Sequence, residues 1–518
     1  MLAVFLPLVS LLRNGVHQSG DFAINIEKTI DLWNSLSYGI FPVSWASLLN
    51  ATYGYPLFIF TYPLPYYAIS FFHLFGLSFI ASEKIVIAIA FLLSGFFMYL
   101  LSRQYTSSRG ASLATALYLF APYHLVDMHY RVAIGELFAF AFVPFCFYSL
   151  KKSWAMLSIA VFLLLLSHQA LSLVSLPLLF AFHFFTIRNL KQSLYCAGSI
   201  LLGLLLASFF VFPVLFETQY THQQTFSNFV SFIKLRDILF SPWYYGFLFQ
   251  GPKGELSFAL GYHNFLVIIL GFYLYIRGFS KKGEVQLICF LLTIICLLIF
   301  MLTAYSAFIW NAVPILKNFQ FTYRLLMPLA FFISFLGGII FNKVSQKIFY
   351  LLFFSIIGVT ILNWGTRSMI SDITDLYLIQ HAPLSTFEAE GLQPASPRWT
   401  DIDNLWMKTP PTEHVEIIKG NGMIQQTKRT PILHEYISMS QSDITVRENT
   451  LFFPGWKIYI DGNEEILKPN KIGLIEFKVK KGPHEIQLVF TQTPIRTISK
   501  LLSIISALVL AIFILRKK

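Results

Sequence analysis

Residues 85–101 read IVIAIAFLLSGFFMYLL, residues 285–304 read VQLICFLLTIICLLIFMLTA, and residues 498–515 read ISKLLSIISALVLAIFIL. Each approaches the roughly 20 predominantly apolar residues that cross a bilayer as a helix. The rest of the 518-residue chain agrees with them. It is 56% hydrophobic and 17% aromatic, with only 12% charged residues, against about 25% in a soluble domain. A mean hydropathy of +0.64 over this length cannot be hidden in globular cores. The fold class expected is a polytopic α-helical membrane protein.

The net charge of +12 does not point to nucleic acid. Lys and Arg stand in short clusters between apolar runs, which encodes topology rather than a binding stripe. The clusters are Arg103 with Arg109, Lys151 with Lys152, Arg188 with Lys191, Arg277 with Lys281 and Lys282, Lys343 with Lys347, and Arg516 to Lys518. If all face the cytoplasm, the C-terminus included, every second loop lies outside and the count comes to about twelve spans. That parity requires residues 56–75 not to cross. Pro56, Pro63 and Pro65 resist a helix interior, so the stretch is expected as an interfacial or re-entrant segment. Residues 1–12 are apolar but short and lack a basic leader, which suggests a short first helix or a truncated start.

On this reading residues 1–364 form a transmembrane domain with a large first outer loop, 14–82. Residues 365–497 form an extracytoplasmic, mostly β domain, and 498–518 a final transmembrane anchor. In the β region Trp456-Lys457-Ile458-Tyr459-Ile460 alternates as a strand, Asp461-Gly462-Asn463 turns a hairpin, and residues 475–490 continue the pattern. A small β-sandwich, separate from the membrane part, is expected. Asp461, Glu464 and Glu465 sit in its turn and read as solvated loop charges.

The outer side holds the residues with chemistry. Asp21 and Glu27 lie in the first outer loop; Asp127, His129, Arg131 and Glu136 lie in a short turn between apolar runs. Charges near membrane depth are costly and tend to mark sites. Arg131 could equally satisfy itself against Asp127 or Glu136. As a guanidinium it also suits a lipid phosphate, as does Arg324 after Phe319-Gln320-Phe321. His168 ends an apolar run on the same side. Cys146, Cys196, Cys289 and Cys296 all fall within apolar segments and lack zinc spacing. No phosphate-binding glycine loop, HExxH or nucleophile elbow is present.

Tyr53-Gly54-Tyr55-Pro56-Leu57-Phe58 with Tyr62-Pro63-Leu64-Pro65-Tyr66-Tyr67 resembles the outer loop of GT-C glycosyltransferases. The nearest resemblance is to bacterial membrane proteins labelled 6-pyruvoyl-tetrahydropterin synthase-related and to YfhO-like proteins. Gly20-Asp21, Arg131 with Gly135-Glu136, Ser167-His168, Phe319-Gln320-Phe321 with Arg324, and Phe453-Pro454-Gly455-Trp456-Lys457 join the set. The pterin label carries no activity here, since no His-rich zinc site is present.

The resemblance implies a bacterial inner-membrane glycosyltransferase. It would move a sugar from a polyprenyl-phosphate-linked donor to a glycan, lipid or protein acceptor on the outer face, with inversion. It further implies Asp21 as the catalytic base, and Asp21 would also be the contact for a divalent metal (Mg or Mn) if one is used. Arg131 and Arg324 would hold the donor phosphate, with Glu27, Asp127, Glu136, His168 and Gln320 as supporting outer-face groups. Two departures stand out: Asn25 where a His often follows the Asp, and Ser44 where a basic residue often precedes the Trp. Two alternatives compete: a non-catalytic scaffold that binds glycan, and a lipid-linked-sugar transporter. The transporter would need polar residues along the middle of several helices, and these are nearly charge-free.

Overall fold

The computed structural model describes residues 2–516 except 188, 224–229, 245–246, 279–281, 367, 385–394 and 401–408. Four charges of the expected clusters, Arg188, Lys281, Lys517 and Lys518, lie outside the described residues.

The chain is mostly helical, with a β region near its C-terminal end. Among the described residues five helices are long and apolar enough to cross a membrane: Phe79–Arg103, Gln169–Ile187, Gly283–Leu302, Thr322–Lys343 and Pro494–Leu515. Leu190–Leu206 with Ser208–Tyr220 makes a sixth, bent by 76°, and four shorter apolar helices accompany them. These do not by themselves add up to about twelve. The span 322–343 runs through the middle of the bundle, and Leu326 to Gly338 are all buried. Small residues let it approach its neighbour: a Cβ on Gly110 would lie 2.6 Å from the Gly338 carbonyl oxygen.

The N-terminal part runs through a 3-10 segment, Leu2–Leu12, to the helix α1 (Phe22–Ser37). The proline-rich stretch folds as two short helices, α2 (Leu57–Phe60) and α3 (Leu64–His73). Ten helical residues measure about 15 Å, half the hydrocarbon core. Helices α4 (Phe79–Arg103), α5 (Ser108–Leu119), α6 (Pro122–Val126), α7 (Ile134–Ser149), α8 (Trp154–Ser167) and α9 (Gln169–Ile187) follow. Then come α10 (Leu190–Leu206) and α11 (Ser208–Glu217).

Two residues of the 14–82 stretch form a strand, β1 (Val16–His17), antiparallel to β2 (Met369–Ile370). The nine remaining strands form two antiparallel sheets. One has the order β3 (Val415–Lys419), β6 (Ile444–Leu451), β10 (Leu474–Val479), β9 (Lys468–Pro469). The other runs β4 (Gly422–Thr430), β5 (Leu433–Ser440), β11 (Gly482–Phe490), β7 (Trp456–Ile460), β8 (Asn463–Glu465). The β7–β8 hairpin turns on Asp461 (φ 51°) and Gly462 (φ 79°), the left-handed pair that tight hairpins require. Asp461 also pairs with His484 at 2.6 Å, so it is a turn-fixing carboxylate.

The β region does not have a core of its own. Val43, Trp45, Tyr55, Leu57 and Phe58 of the 14–82 stretch belong to one buried cluster with Val446, Trp456, Ile475, Leu488 and Phe490. The Leu451 amide donates to the Tyr53 carbonyl at 3.1 Å. The expected separate sandwich is therefore built around a plug from the other end of the chain. Its inner polar group is Glu448, which takes Arg429 at 2.8 Å, Thr450 at 2.7 Å, His434 at 2.9 Å and the Tyr436 hydroxyl. Burial pushes the His434 pKa down, against the pull of the Glu448 carboxylate. The anchor helix is clamped by a second buried pair, Arg496 Nε to Glu217 Oε2 at 2.8 Å.

Candidate functional site

The site is assembled where the start of α1 crosses the turn before α7. The Gly20 and Asp21 amides donate to the Tyr130 and Arg131 carbonyls at 3.0 and 2.8 Å, laying the loop along that turn. A Cβ on Gly20 would stand 3.3 Å from the Arg131 carbonyl oxygen, so the approach favours glycine. Asp127–Arg131 is a π-helical turn, a form frequent at functional sites. It is followed by Val132 in the left-handed region (φ 55°), an outlier for a β-branched residue. That reversal brings Glu136, in the first turn of α7, back onto Arg131.

Arg131 is held from three sides. It bonds Asp127, donates to Glu136 Oε1 at 2.9 Å and to the Tyr123 hydroxyl at 2.8 Å, and lies 5.0 Å from the Tyr323 ring centre. The Tyr123 hydroxyl in turn donates to Glu136 Oε2 at 2.7 Å. Arg324 reaches the same carboxylate with Nε at 3.3 Å and the Phe319 carbonyl with Nη1 at 2.8 Å. Both alternatives for Arg131, the Asp127 pair and the Glu136 pair, are realised together. Its guanidinium faces protein groups, whereas Arg324 keeps one Nη2 with no partner among the described residues.

Asp21 is the end residue of α1, yet its side chain makes no cap to that helix. Burial raises its pKa; the charges of Arg131, Lys28 and Arg324 work against that rise, and Glu136 adds to it. The result is a carboxylate beside cations that belong to other partners, available to accept a proton.

His168 packs face to face on Tyr62 with ring centres 5.5 Å apart, and its Nδ1 accepts from the Leu171 amide at 3.3 Å. Gly135 is what admits Tyr62, since a Cβ there would fall 2.5 Å from the Tyr62 ring. Asp21, Glu136 and Arg324 all act electrostatically on Tyr62, and burial raises its pKa. Glu27 is buried on α1. Gln320 contributes through its backbone, with φ 58° and its carbonyl accepting from Ser231 at 2.8 Å.

Three contributors were not legible as site residues. Asn25 donates to Glu83 Oε1 and to the Val132 carbonyl, both at 3.0 Å, so the departure at this position is a structural hydrogen-bonder. Glu83 is fully buried, and its Oε2 has no hydrogen-bond partner among the described residues. It lies one residue beyond the expected loop boundary. Its signal was the Glu83-Lys84 pair at the head of an otherwise charge-poor span. Tyr123 bridges Arg131 and Glu136, a role that spacing does not encode. Among the described residues no three His, Cys, Asp or Glu side chains converge as a metal site. Asp127 and Glu136 are turned onto Arg131.

The sequence profile of a membrane-protein family described as the 6-pyruvoyl-tetrahydropterin synthase related domain matches residues 59–371. An uncharacterized protein of Lactococcus lactis subsp. cremoris (strain MG1363) is 27% identical over 224 residues, 39% of this chain. The match covers 36% of that protein, so the chain spans about a third of the length of the curated relative it matches. No solved structure matches the chain. The family match takes in α7, both site arginines and the span 322–343, and on it the chain belongs to the 6-pyruvoyl-tetrahydropterin synthase related family of membrane proteins.

Proposed function

We propose that the protein is a glycosyltransferase of the GT-C type, taking a sugar from a polyprenyl-phosphate-linked donor on the extracytoplasmic face of a bacterial inner membrane. The observation that carries this reading is the Asp21 carboxylate: raised in pKa by burial, set beside Arg131 and Arg324, and bonded to neither. In the reaction Asp21 takes the proton of the acceptor hydroxyl as that oxygen attacks the anomeric carbon. The carbon–oxygen bond to the lipid phosphate breaks, and the phosphate leaves with the electron pair and a negative charge. Arg324, with its spare Nη2, is the cation that meets this charge. A single displacement inverts the anomeric carbon. No step is routed through a divalent metal.

One observation favours a second reading, a non-catalytic scaffold: Arg131 is saturated by two carboxylates, as a structural cation would be. Transfer of radiolabelled sugar from a panel of polyprenyl-phosphate donors, in membranes holding wild type or Asp21→Asn, separates the two. The enzyme reading expects incorporation by wild type and a loss of about 10²–10⁴-fold in the variant. Incorporation unaltered in Asp21→Asn overturns the role of Asp21. None by wild type, with intact expression, moves the conclusion to the scaffold.

A further inference from the structure

A second group of polar side chains lies away from Asp21, where the chain after α11 meets residues 395–400. The two stretches run antiparallel. The Arg398 amide donates to the Tyr220 carbonyl at 2.9 Å and the His222 amide to the Ser396 carbonyl at 3.1 Å, with Thr221 facing Pro397 between them. His222 ties the pair together through Nε2, 3.2 Å from both the carbonyl and the hydroxyl oxygen of Thr400. This pairing sets Tyr220 and Trp399 side by side, with ring planes within 12° of parallel and centres 6.2 Å apart. Arg398 leans over both, its Cζ 5.5 Å from the Tyr220 centre and 4.9 Å from that of Trp399.

The rings are fixed from behind and open in front. Trp399 meets Phe452 edge to face at 4.9 Å, and Tyr220 meets Phe453 in the same way at 6.3 Å. Both pack against the core that the β-sheets share with residues 43–67. Arg398 is exposed and the two rings are half-buried. Arg398 Nη1 donates to the Gln219 carbonyl at 3.4 Å. Its Nε and Nη2, the Tyr220 hydroxyl and Trp399 Nε1 have no hydrogen-bond partner among the described residues. Glu217, three residues before Tyr220, is taken by Arg496 and Thr493.

Two aromatic faces fringed by free O–H and N–H donors are the complement of a sugar ring. The C–H groups of the sugar lie on an aromatic face, and its hydroxyls accept from the guanidinium and the indole. Trp and Tyr also collect in belts where helices meet lipid headgroups. These two rings are instead seated on the core of the β-sheets. From them a line of rings runs inward: Tyr220 to Phe453, Phe453 to Phe60 at 6.1 Å, and two residues further Tyr62, on which Asp21 acts electrostatically. We infer that Tyr220, Arg398 and Trp399 form a saccharide subsite, which holds a distal unit of an oligosaccharide acceptor whose reacting end lies at Asp21. That the bound saccharide is an acceptor rests on the transferase reading; that a saccharide binds here does not.

The test is binding of soluble oligosaccharides to the full chain in nanodiscs. The probes are an array of neutral and acidic oligomers of glucose, galactose and N-acetylhexosamines, with saturation-transfer NMR on those that bind. Wild type is expected to bind at least one of them saturably. Trp399→Ala and Arg398→Gln should each weaken that binding by about tenfold or more. Trp399→Phe, which keeps a ring face, should weaken it less, and Asp21→Asn should bind as wild type does. Arg398 is exposed, so Arg398→Gln reads binding with the core undisturbed, as an unchanged unfolding midpoint would show. Undiminished binding by Trp399→Ala and Arg398→Gln, or no binding of any probe by wild type, overturns the proposal. Quenching of the Trp399 fluorescence (wild type minus Trp399→Phe) by brominated lipid chains also overturns it, and assigns the rings to the membrane. Binding that the variants lose, with no sugar transfer by wild type, leaves the subsite standing and removes the transferase. Transfer with an unaltered acceptor KM in Trp399→Ala and Arg398→Gln does the reverse.

Discussion

Trp45 meets Trp456 edge to face, with ring centres 5.4 Å apart and planes at 88°, and leans on Phe490 at 5.0 Å. Trp45 belongs to the loop that carries Asp21, and its partners to β7 and β11 of the C-terminal region. The contact makes the loop and the β-sheets one folding unit, so the site at the base of the loop inherits its rigidity from strands hundreds of residues away.

Trp45→Ala is expected to cost about 3–5 kcal/mol, because it removes a large, fully buried ring from a core that two sheets close around. The loss should appear as earlier thermal unfolding and as faster amide exchange in β7 and β11. Exchange confined to the loop, with the strands unaffected, would show that the two parts fold independently.

The pH profile of transfer should carry the signature of Asp21. Burial raises its pKa, and a base must be deprotonated, so activity is lost as pH falls through that raised value. The acid limb of kcat/KM should lie above the usual carboxylate range near 4. Arg324→Gln removes a charge that lowers the Asp21 pKa, and should move the limb further up. A limb at the ordinary value in both proteins would assign the base elsewhere.

Asp31 makes a prediction about stability. Its two oxygens accept from the Ser47, Leu48 and Leu49 amides at 2.9, 3.0 and 3.0 Å, yet burial outweighs these bonds and pushes its pKa up to about 6. The folded state then holds the proton more tightly than the unfolded state. Stability from this group is full below about pH 4, the unfolded pKa, and is lost as pH rises through about 6, by about 3 kcal/mol in all for a shift of this size. Asp31→Asn should abolish that slope while costing about 2 kcal/mol through lost acceptors. Unfolding midpoints of both proteins between pH 4 and 7 provide the comparison.

Glu217 and Arg496 form a buried pair in which Thr493 also donates to Glu217 at 2.5 Å and Arg496 Nη2 reaches the Pro454 carbonyl at 2.8 Å. Removing one charge strands the other, so Glu217→Gln or Arg496→Met should each cost about 3–5 kcal/mol. The double variant should cost less than the sum of the two. Additive losses in a double-mutant cycle would show that the pair does not couple the anchor helix to α11.

By itself the sequence determined the membrane class, because apolar runs of bilayer length have no other stable environment. It also determined the β7–β8 hairpin, since Asp461-Gly462 supplies the left-handed turn, and it singled out the charges between the apolar runs, because polar groups are scarce in such a chain. Residues 56–75 were legible from their prolines as a stretch that forms no long helix, and they fold as two short ones. Only the tertiary structure decided which charges meet. The Arg131–Glu136–Arg324 network depends on a left-handed Val132 that no propensity favours, and on span 322–343 arriving beside α7. Glu83 and Lys84 differ by one position, yet one turns to Asn25 and the other to the Arg13 carbonyl, because adjacent helical side chains point about 100° apart. The union of the first loop with the β-sheets was equally beyond local reading, for burial of Trp45 against Trp456 is a contact between the ends of the chain.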